Sequence, residues 1–318
     1  MSGNDRHFTC EQINNLSPED FEKAWNATFS HEIVSSILSK DLRYQDVDIF
    51  DHNESLLQII KAVNGDVAKA GNHRIQDWEC GWSQNLNSIQ HNNDLLQSIT
   101  PAYYGKYKVC RWKQSFIKPV NNLFDFNIIN IIVEWCFDQY IRGVDAFYEF
   151  GCGPGHNLIT ARHFNKNAEI YGCDWTESSQ KIVNEISYIT NDKKMFSRKF
   201  NFFDIDELFI LKPNAAIFTL ASLEQTATNY VDFVNYIIKS KPRICIHIEP
   251  IAELLDDNNL LDYLSILYFN KRNYLKGFLE FLRSLEQEGK IEILRAQRTY
   301  TGSLMIEGHS VVIWRPKQ

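Results

Sequence analysis

The chain has 318 residues, 44% hydrophobic and 23% charged, which excludes a mainly disordered protein and fits two domains or one large domain with extensions. With 33 Lys and Arg against 40 Asp and Glu, the net charge is −7, so the global basic field of a nucleic-acid-binding protein is absent. Seven scattered cysteines without a CxxC pair argue against a disulfide framework and a structural zinc site. The start, MSGNDRHFTCEQ, lacks the apolar core of a signal peptide, and the longest apolar run, near Phe126–Val133, is too short to cross a bilayer. A cytoplasmic protein is expected, with no membrane, nucleic-acid or metal partner.

Residues 1–142 read mainly as helices. Ser17-Pro18-Glu19-Asp20 marks a helix start, after which Phe21, Trp25 and Phe29 recur on one face. Leu56, Leu57, Ile59, Ile60 and Val63 predict a second helical stretch, and a third is expected over 127–141, stopped by Gly143. Between these, residues 70–119 show no clean periodicity and are dense in aromatic and hydrogen-bonding groups, including Tyr103, Tyr104, Tyr107, Arg111 and Trp112.

From residue 143 the texture changes. Strands are predicted at 146–150, 168–173, within 196–203, and at 215–220 and 244–248, with helices at 158–164, 178–189 and 230–239. This alternation predicts an α/β domain over 143–318, with a mostly parallel sheet covered by helices on both faces. Residues 251–289 read as a helical insertion. Strands at 291–298 and 309–314, joined through Gly302-Ser303, predict an antiparallel hairpin at the sheet edge.

The most informative string is Glu149-Phe150-Gly151-Cys152-Gly153-Pro154-Gly155-His156, where a strand runs into three alternate glycines and then a helix. Such a loop turns tightly and approaches a ligand with no Cβ in the way, at the carboxyl end of the first strand. The spacing is G-x-G-x-G rather than the dinucleotide G-x-G-x-x-G, and Pro154 removes an N–H that a pyrophosphate would use. Asp174 ends the second strand, 23 residues after Gly151, and Asn201-Phe202-Phe203-Asp204 follows the third.

Glu149-x-Gly151-x-Gly153-x-Gly155, followed by these acidic partners, resembles the motifs of class I methyltransferases that use S-adenosyl-L-methionine (SAM). The resemblance covers about residues 143–318. It implies a Rossmann-like seven-stranded sheet with an antiparallel closing strand, under a helical N-terminal cap. It also implies that Asp174 accepts from the ribose hydroxyls, that Asp204 accepts from the adenine amino group, and that Glu149 organises the methionine end. The implied cofactor residues are Glu149, Gly151, Cys152, Gly153, Gly155, Asp174, Trp175, Phe203, Asp204 and Leu220, with Trp175 placed to stack on adenine.

The acceptor is expected beside the ends of the first, fourth and fifth strands. There, Glu224 and Gln225 follow the fourth strand, and alternation puts Cys245, His247 and Glu249 on one face of the fifth. His247, Glu249 and Glu224 are the candidate catalytic residues. His73, Arg74, Asp77, Trp78, His156 and Gln225 are candidates for acceptor binding, because flat aromatics among planar polar groups suit a polyhydroxylated acceptor. Arg74 and Arg111 are candidates for holding a phosphate or carboxylate. His309 is read as structural. The expected function is methyl transfer to a small polar acceptor, such as a sugar hydroxyl. The alternatives are N-methylation of a peptide side chain or secondary metabolite, a non-catalytic nucleotide-binding module, and a nicotinamide oxidoreductase.

Overall fold

The computed structural model describes residues 12–317; Cys10 and the polar start of the chain lie outside the described residues. In chain order the elements are β1 (Ile13–Asn15), α1 (Pro18–Trp25), α2 (His31–Ser39), β2 (Arg43–Asp46), α3 (Ile49–Asn64), α4 (Ile75–His91), α5 (Leu95–Ile99), β3 (Cys110–Trp112), β4 (Ser115–Pro119) and α6 (Phe124–Tyr140). Then come β5 (Ala146–Phe150), α7 (His156–Phe164), β6 (Glu169–Asp174), α8 (Glu177–Ile189), β7 (Met195–Lys199), β8 (Ala215–Leu220), α9 (Val231–Ser240) and β9 (Ile244–Glu249). The chain closes with α10 (Leu260–Arg272), α11 (Phe278–Gln287), β10 (Ile291–Gln297), β11 (Thr301–Gly302) and β12 (Ser310–Pro316).

The large sheet has seven strands in the order β10-β12-β9-β8-β5-β6-β7. Strands β5 to β9 pair in parallel, while β12 runs antiparallel to both β9 and β10. The strand order reverses between β5 and β8, the switch point that opens a ligand crevice at the strand carboxyl ends. Alternating side chains divide between two cores. Phe147, Phe218 and Ile246 pack with α6, α7 and α8 on one face, whereas Tyr148, Phe150 and Trp314 pack with α9 and α11 on the other.

The expected helix start at Ser17 is a reciprocal capping box: Asp20 N–H donates to Ser17, and Asp20 accepts from the Ser17 N–H. Helix α6 lies across the expected 142/143 boundary from β5, yet packs on the large sheet, with Phe137 set edge-on against Phe147 and Phe218 at 5.1 and 4.9 Å. Trp25 joins the same core, stacked 5.3 Å from Trp135, and its indole N–H donates to Thr299 O at 2.7 Å.

Two elements of the cap differ from the sequence expectation. A second, antiparallel sheet, β1-β2-β4-β3-β11, runs through the first half and borrows its last strand from the loop between β10 and β12. Its strands are two to five residues long, too short to display alternation, and the β3–β4 turn uses Lys113 and Gln114 at positive φ in place of glycine or asparagine. Within the aperiodic stretch, residues 75–91 form helix α4, interrupted compositionally by Gly81. No helix among the described residues is long and apolar enough to cross a membrane.

Candidate functional site

Strand β5 delivers Glu149 and Phe150 to the loop Gly151–Gly155, whose three glycines all have left-handed φ, +77°, +51° and +76°. The loop is clamped to β6: the Gly151 and Cys152 N–H groups donate to Cys173 O at 2.7 and 3.1 Å. Close approach also demands glycine here. A Cβ at 151 would overlap Ser222, and one at 153 would lie 2.8 Å from the Trp82 ring.

A cavity of about 700 Å³, counting its open mouth, lies on this loop. Of the expected residues it is lined by Trp78, Glu149, Gly151, Cys152, Gly153, His156, Asp174, Trp175, Phe203, Leu220 and Gln225. Asp174 is buried and ties the crevice together. Its Oδ2 accepts from the Gly153 N–H at 3.0 Å, and its Oδ1 accepts from the Thr176 N–H and hydroxyl at 2.9 and 2.7 Å. Trp175 and Phe203 stand nearly parallel with centroids 5.9 Å apart.

The electrostatics are one-sided, because among the described residues no Lys or Arg lines this cavity while Glu149 and Asp174 do. Glu149 is buried and accepts from Asn157 Nδ2 at 2.7 Å; burial pushes its pKa up to about 8. Burial also raises Asp174 and lowers His156 to about 4, so the imidazole is neutral. Several buried polar atoms of lining residues have no partner among the described residues: Trp78 Nε1, Glu149 Oε2, His156 Nδ1 and Nε2, Asn157 Oδ1 and Gln225 Oε1. Orphaned buried polar atoms are uncommon in folded proteins, and this concentration marks a place for a polar ligand.

A second cavity, about 1060 Å³ with its mouth, adjoins the first; Tyr103 and Ala221 line both. Its walls include Tyr104, Tyr107, Tyr268, Tyr274, Asp125, Glu224 and His309. Glu224 accepts from Gln225 Nε2 at 2.9 Å, and burial, helped by the Glu249 charge, raises its pKa to about 8. Burial lowers His309 to about 4, and its Nδ1 has no partner among the described residues. The wall formed by residues 301–309 is held by Arg111, whose five N–H donors go to Leu304 O twice, Leu261 O, Ser265 Oγ and Met305 O. Arg298 adds ion pairs to Asp262 at 2.7 Å and Glu307 at 2.6 Å.

Several expected site residues lie elsewhere. His247 is fully buried beneath α11, hydrogen-bonded through Nδ1 to Thr219 at 2.9 Å and packed against Phe278 and Trp314; burial lowers its pKa to about 3. It lines neither cavity, because alternation points it into the core below the crevice. Replacing His247 with Ala is expected to cost about 2–4 kcal/mol of stability in denaturant unfolding while leaving ligand affinity within about twofold. An equally stable variant, or one that loses ligand, contradicts this placement.

Glu249 is also not free to act as a base. Its carboxylate accepts from the backbone N–H groups of Ser222, Leu223 and Glu224 at 3.2, 3.0 and 3.1 Å, and so shapes the turn that carries Glu224 and Gln225. Asp204 is exposed at a turn and outside the cavity. Gly155 lies just behind the lining, as the left-handed residue opening α7. His73 and Asp77 are exposed; Arg74 pairs with Asp77 at 2.7 Å and sits over the Trp78 ring. Arg111 has no donor left for a phosphate. Conversely, Asn157, Phe202 and Ser222 line the first cavity and His309 the second without having been singled out as ligand contacts; only the chain's return from β10 to β12 brings His309 there.

No family model and no curated protein sequence matches this chain. Among solved structures, magnesium protoporphyrin IX methyltransferase from Synechocystis PCC 6803 with bound S-adenosylhomocysteine (SAH) aligns at 11% identity, covering 76% of this chain and 98% of its own, with a TM-score of 0.48. Geranyl diphosphate methyltransferase with SAM aligns at 11% identity over 63% of this chain and 93% of its own, TM-score 0.43. An O-methyltransferase of neocarzinostatin biosynthesis, bound to SAM and 2-hydroxy-5-methyl naphthoic acid, aligns at 11% identity over 76% and 70%, TM-score 0.42. At these identities and TM-scores the likeness carries no assignment of activity.

Proposed function

We propose that this protein is a SAM-dependent methyltransferase acting on a small polar acceptor, with a sugar hydroxyl as the favoured target. The observation that carries the reading is the junction of two cavities at Tyr103 and Ala221. One is cation-free and built on the glycine loop; the other is walled by tyrosines, Glu224 and His309.

The first cavity fits a cationic adenosyl ligand. Glu149 Oε2, Asn157 Oδ1 and Gln225 Oε1 are acceptors suited to an ammonium group, and the acidic lining suits a sulfonium. Asp174 Oδ2, with a single bond from Gly153, keeps a lone pair for a ribose hydroxyl. Trp175 and Phe203 offer apolar faces to a purine. Among the described residues a pyrophosphate would meet two carboxyl groups and no Lys or Arg, which disfavours a nicotinamide dinucleotide. Bound here, SAM supplies a methyl group for in-line displacement by an electron-rich acceptor atom.

The chain's own contribution is alignment and exclusion of water, and alignment alone is worth roughly 7–11 kcal/mol of barrier. Tyrosine hydroxyls, Asp125 and Glu224 provide both donors and acceptors for a polyhydroxylated ring. The neutral His309 imidazole, with Nδ1 unpartnered among the described residues, offers a hydrogen-bond acceptor to an acceptor hydroxyl; burial makes it a weak base, so alignment carries the reaction. A second cavity of this size favours a catalyst over a silent nucleotide-binding module.

Calorimetry with SAH, followed by transfer of labelled methyl from SAM to a panel of methyl glycosides and amines, tests the proposal. SAH binding and a thermal shift with SAM but not with NAD(P) are expected. A protein that ignores SAM and SAH, or prefers NAD(P), overturns it.

A further inference from the structure

Trp78 and Trp82 reach the cofactor cavity from outside the large-sheet region, on helix α4. They sit four residues apart on one face of α4, stacked with centroids 5.4 Å apart, and Trp82 lies directly on Gly153. Both indoles therefore roof the glycine loop. The two halves of α4 are attached differently. The C-terminal half is tied to the segment around α5, where Asn85 Nδ2 donates to Ser98 O at 2.8 Å and Thr100 O at 3.2 Å, and Ser88 bonds Ser98 at 3.1 Å.

The N-terminal half, which carries Trp78, is held to the large-sheet region by Glu79, while Trp82 follows Gly81 and belongs to the other half. The Glu79 carboxylate accepts from the Glu177 N–H at 2.7 Å, the Ser178 N–H at 3.1 Å and the Ser178 hydroxyl. These N–H groups are the free donors of the first turn of α8, where the partial positive charge of a helix start favours an anion. That turn follows immediately on Asp174 and Trp175, which line the cavity. Between the two halves lies Gly81. A Cβ there would meet nothing within 4 Å, so packing does not require glycine. Its consequence is backbone freedom inside a helix.

We infer that Glu79 is a positioning residue that latches Trp78, the part of the roof on its own side of Gly81, over the bound cofactor, with Gly81 as the hinge on which that first turn of α4 lifts for exchange while Trp82 stays on Gly153. The inference rests on the SAM-binding reading of the cavity. Closure keeps water from the junction, and opening limits how fast the spent cofactor leaves. Glu79 touches neither cofactor nor acceptor; it acts through Trp78.

Stopped-flow tryptophan fluorescence with SAH on the full chain tests it, since Trp78, Trp82 and Trp175 all line the cavity. Glu79→Ala should release SAH at least about tenfold faster, with an association rate equal to or above that of the unaltered protein. Glu79→Gln keeps one acceptor oxygen and should fall between the two. Gly81→Ala has room for its methyl group, stiffens the helix, and should slow both entry and release. A site that is merely distorted would bind more slowly and would not reverse sign at Gly81.

Release rates in Glu79→Gln and Gly81→Ala within twofold of the unaltered protein, or slower association in either Glu79 variant, overturn the inference. If the unaltered protein fails to bind SAH, the methyltransferase reading itself falls. Normal SAH binding with unmoved rates removes only the latch.

Discussion

Gly151→Ala is expected to reduce SAH affinity by about 100-fold or more and to cost about 2–4 kcal/mol of stability. Two effects add. The residue sits at φ +77°, where a side chain costs roughly 1–2 kcal/mol. Its Cβ would also overlap Ser222, which has little room to yield: its hydroxyl donates to Phe150 O at 2.8 Å and its N–H to Glu249 at 3.2 Å. Relief must come from the turn after β8, where Ala221 already holds a left-handed conformation at φ +48° and lines both cavities. Gly289→Ala is the matched control. It has a similar φ of +76° but nothing within 4 Å, so it should lose only the conformational increment and keep its SAH affinity. Calorimetry and thermal unfolding of the two variants decide the matter; a Gly151→Ala protein that binds like the unaltered one removes the glycine loop from the site.

Glu149→Gln is expected to act in opposite directions on stability and on binding. Burial raises the Glu149 pKa to about 8, so the folded protein without ligand holds a proton that the unfolded chain has lost above about pH 4.5. The folded state therefore binds more protons than the unfolded one between these values, and stability falls as pH rises, by at most about 1.4 kcal/mol per pH unit from this group. Glu224 and Glu249, raised to about 8 and about 7 by burial, contribute in the same direction. The glutamine variant removes one of these groups, so its thermal midpoint should fall less between pH 6 and 8.

Binding runs the other way. An ammonium group beside Glu149 favours its ionised form, so SAM binding should release a proton near pH 7 and affinity should rise with pH up to about 8. The glutamine variant should bind SAM about 10–100-fold more weakly and lose that pH dependence. Calorimetry in buffers of different ionisation enthalpy measures the released proton directly. No proton release, or an unchanged affinity, contradicts the assignment of Glu149 to the ammonium end.

The parts legible in the sequence are those governed by neighbouring residues. Strand β5 and the three left-handed glycines are local backbone chemistry. The alternation of strands with helices restricts the sheet to right-handed crossovers, so Asp174 must emerge beside the loop once β6 pairs with β5. Alternation also put His247 and Glu249 on one face correctly, but periodicity alone does not say how deep in the crevice a residue sits. Three backbone N–H groups from the turn after β8 consume the Glu249 carboxylate, and α11 closes over His247.

Tertiary structure alone decided the roof and the acceptor walls. Trp82 meets Gly153, and Trp78 reaches the cavity, only because α4 docks on α8, about 100 residues further along the chain. Residues 301–309 reach the second cavity because Arg111, from the small sheet, spends every donor on their carbonyls and on α10. Such partners are chosen by packing and by the need to satisfy buried polar groups across long chain separations, and neither leaves a local pattern. What the residues in order determined was the cradle; how it is covered, and what stands opposite the transferred group, came from the folding of distant segments onto it.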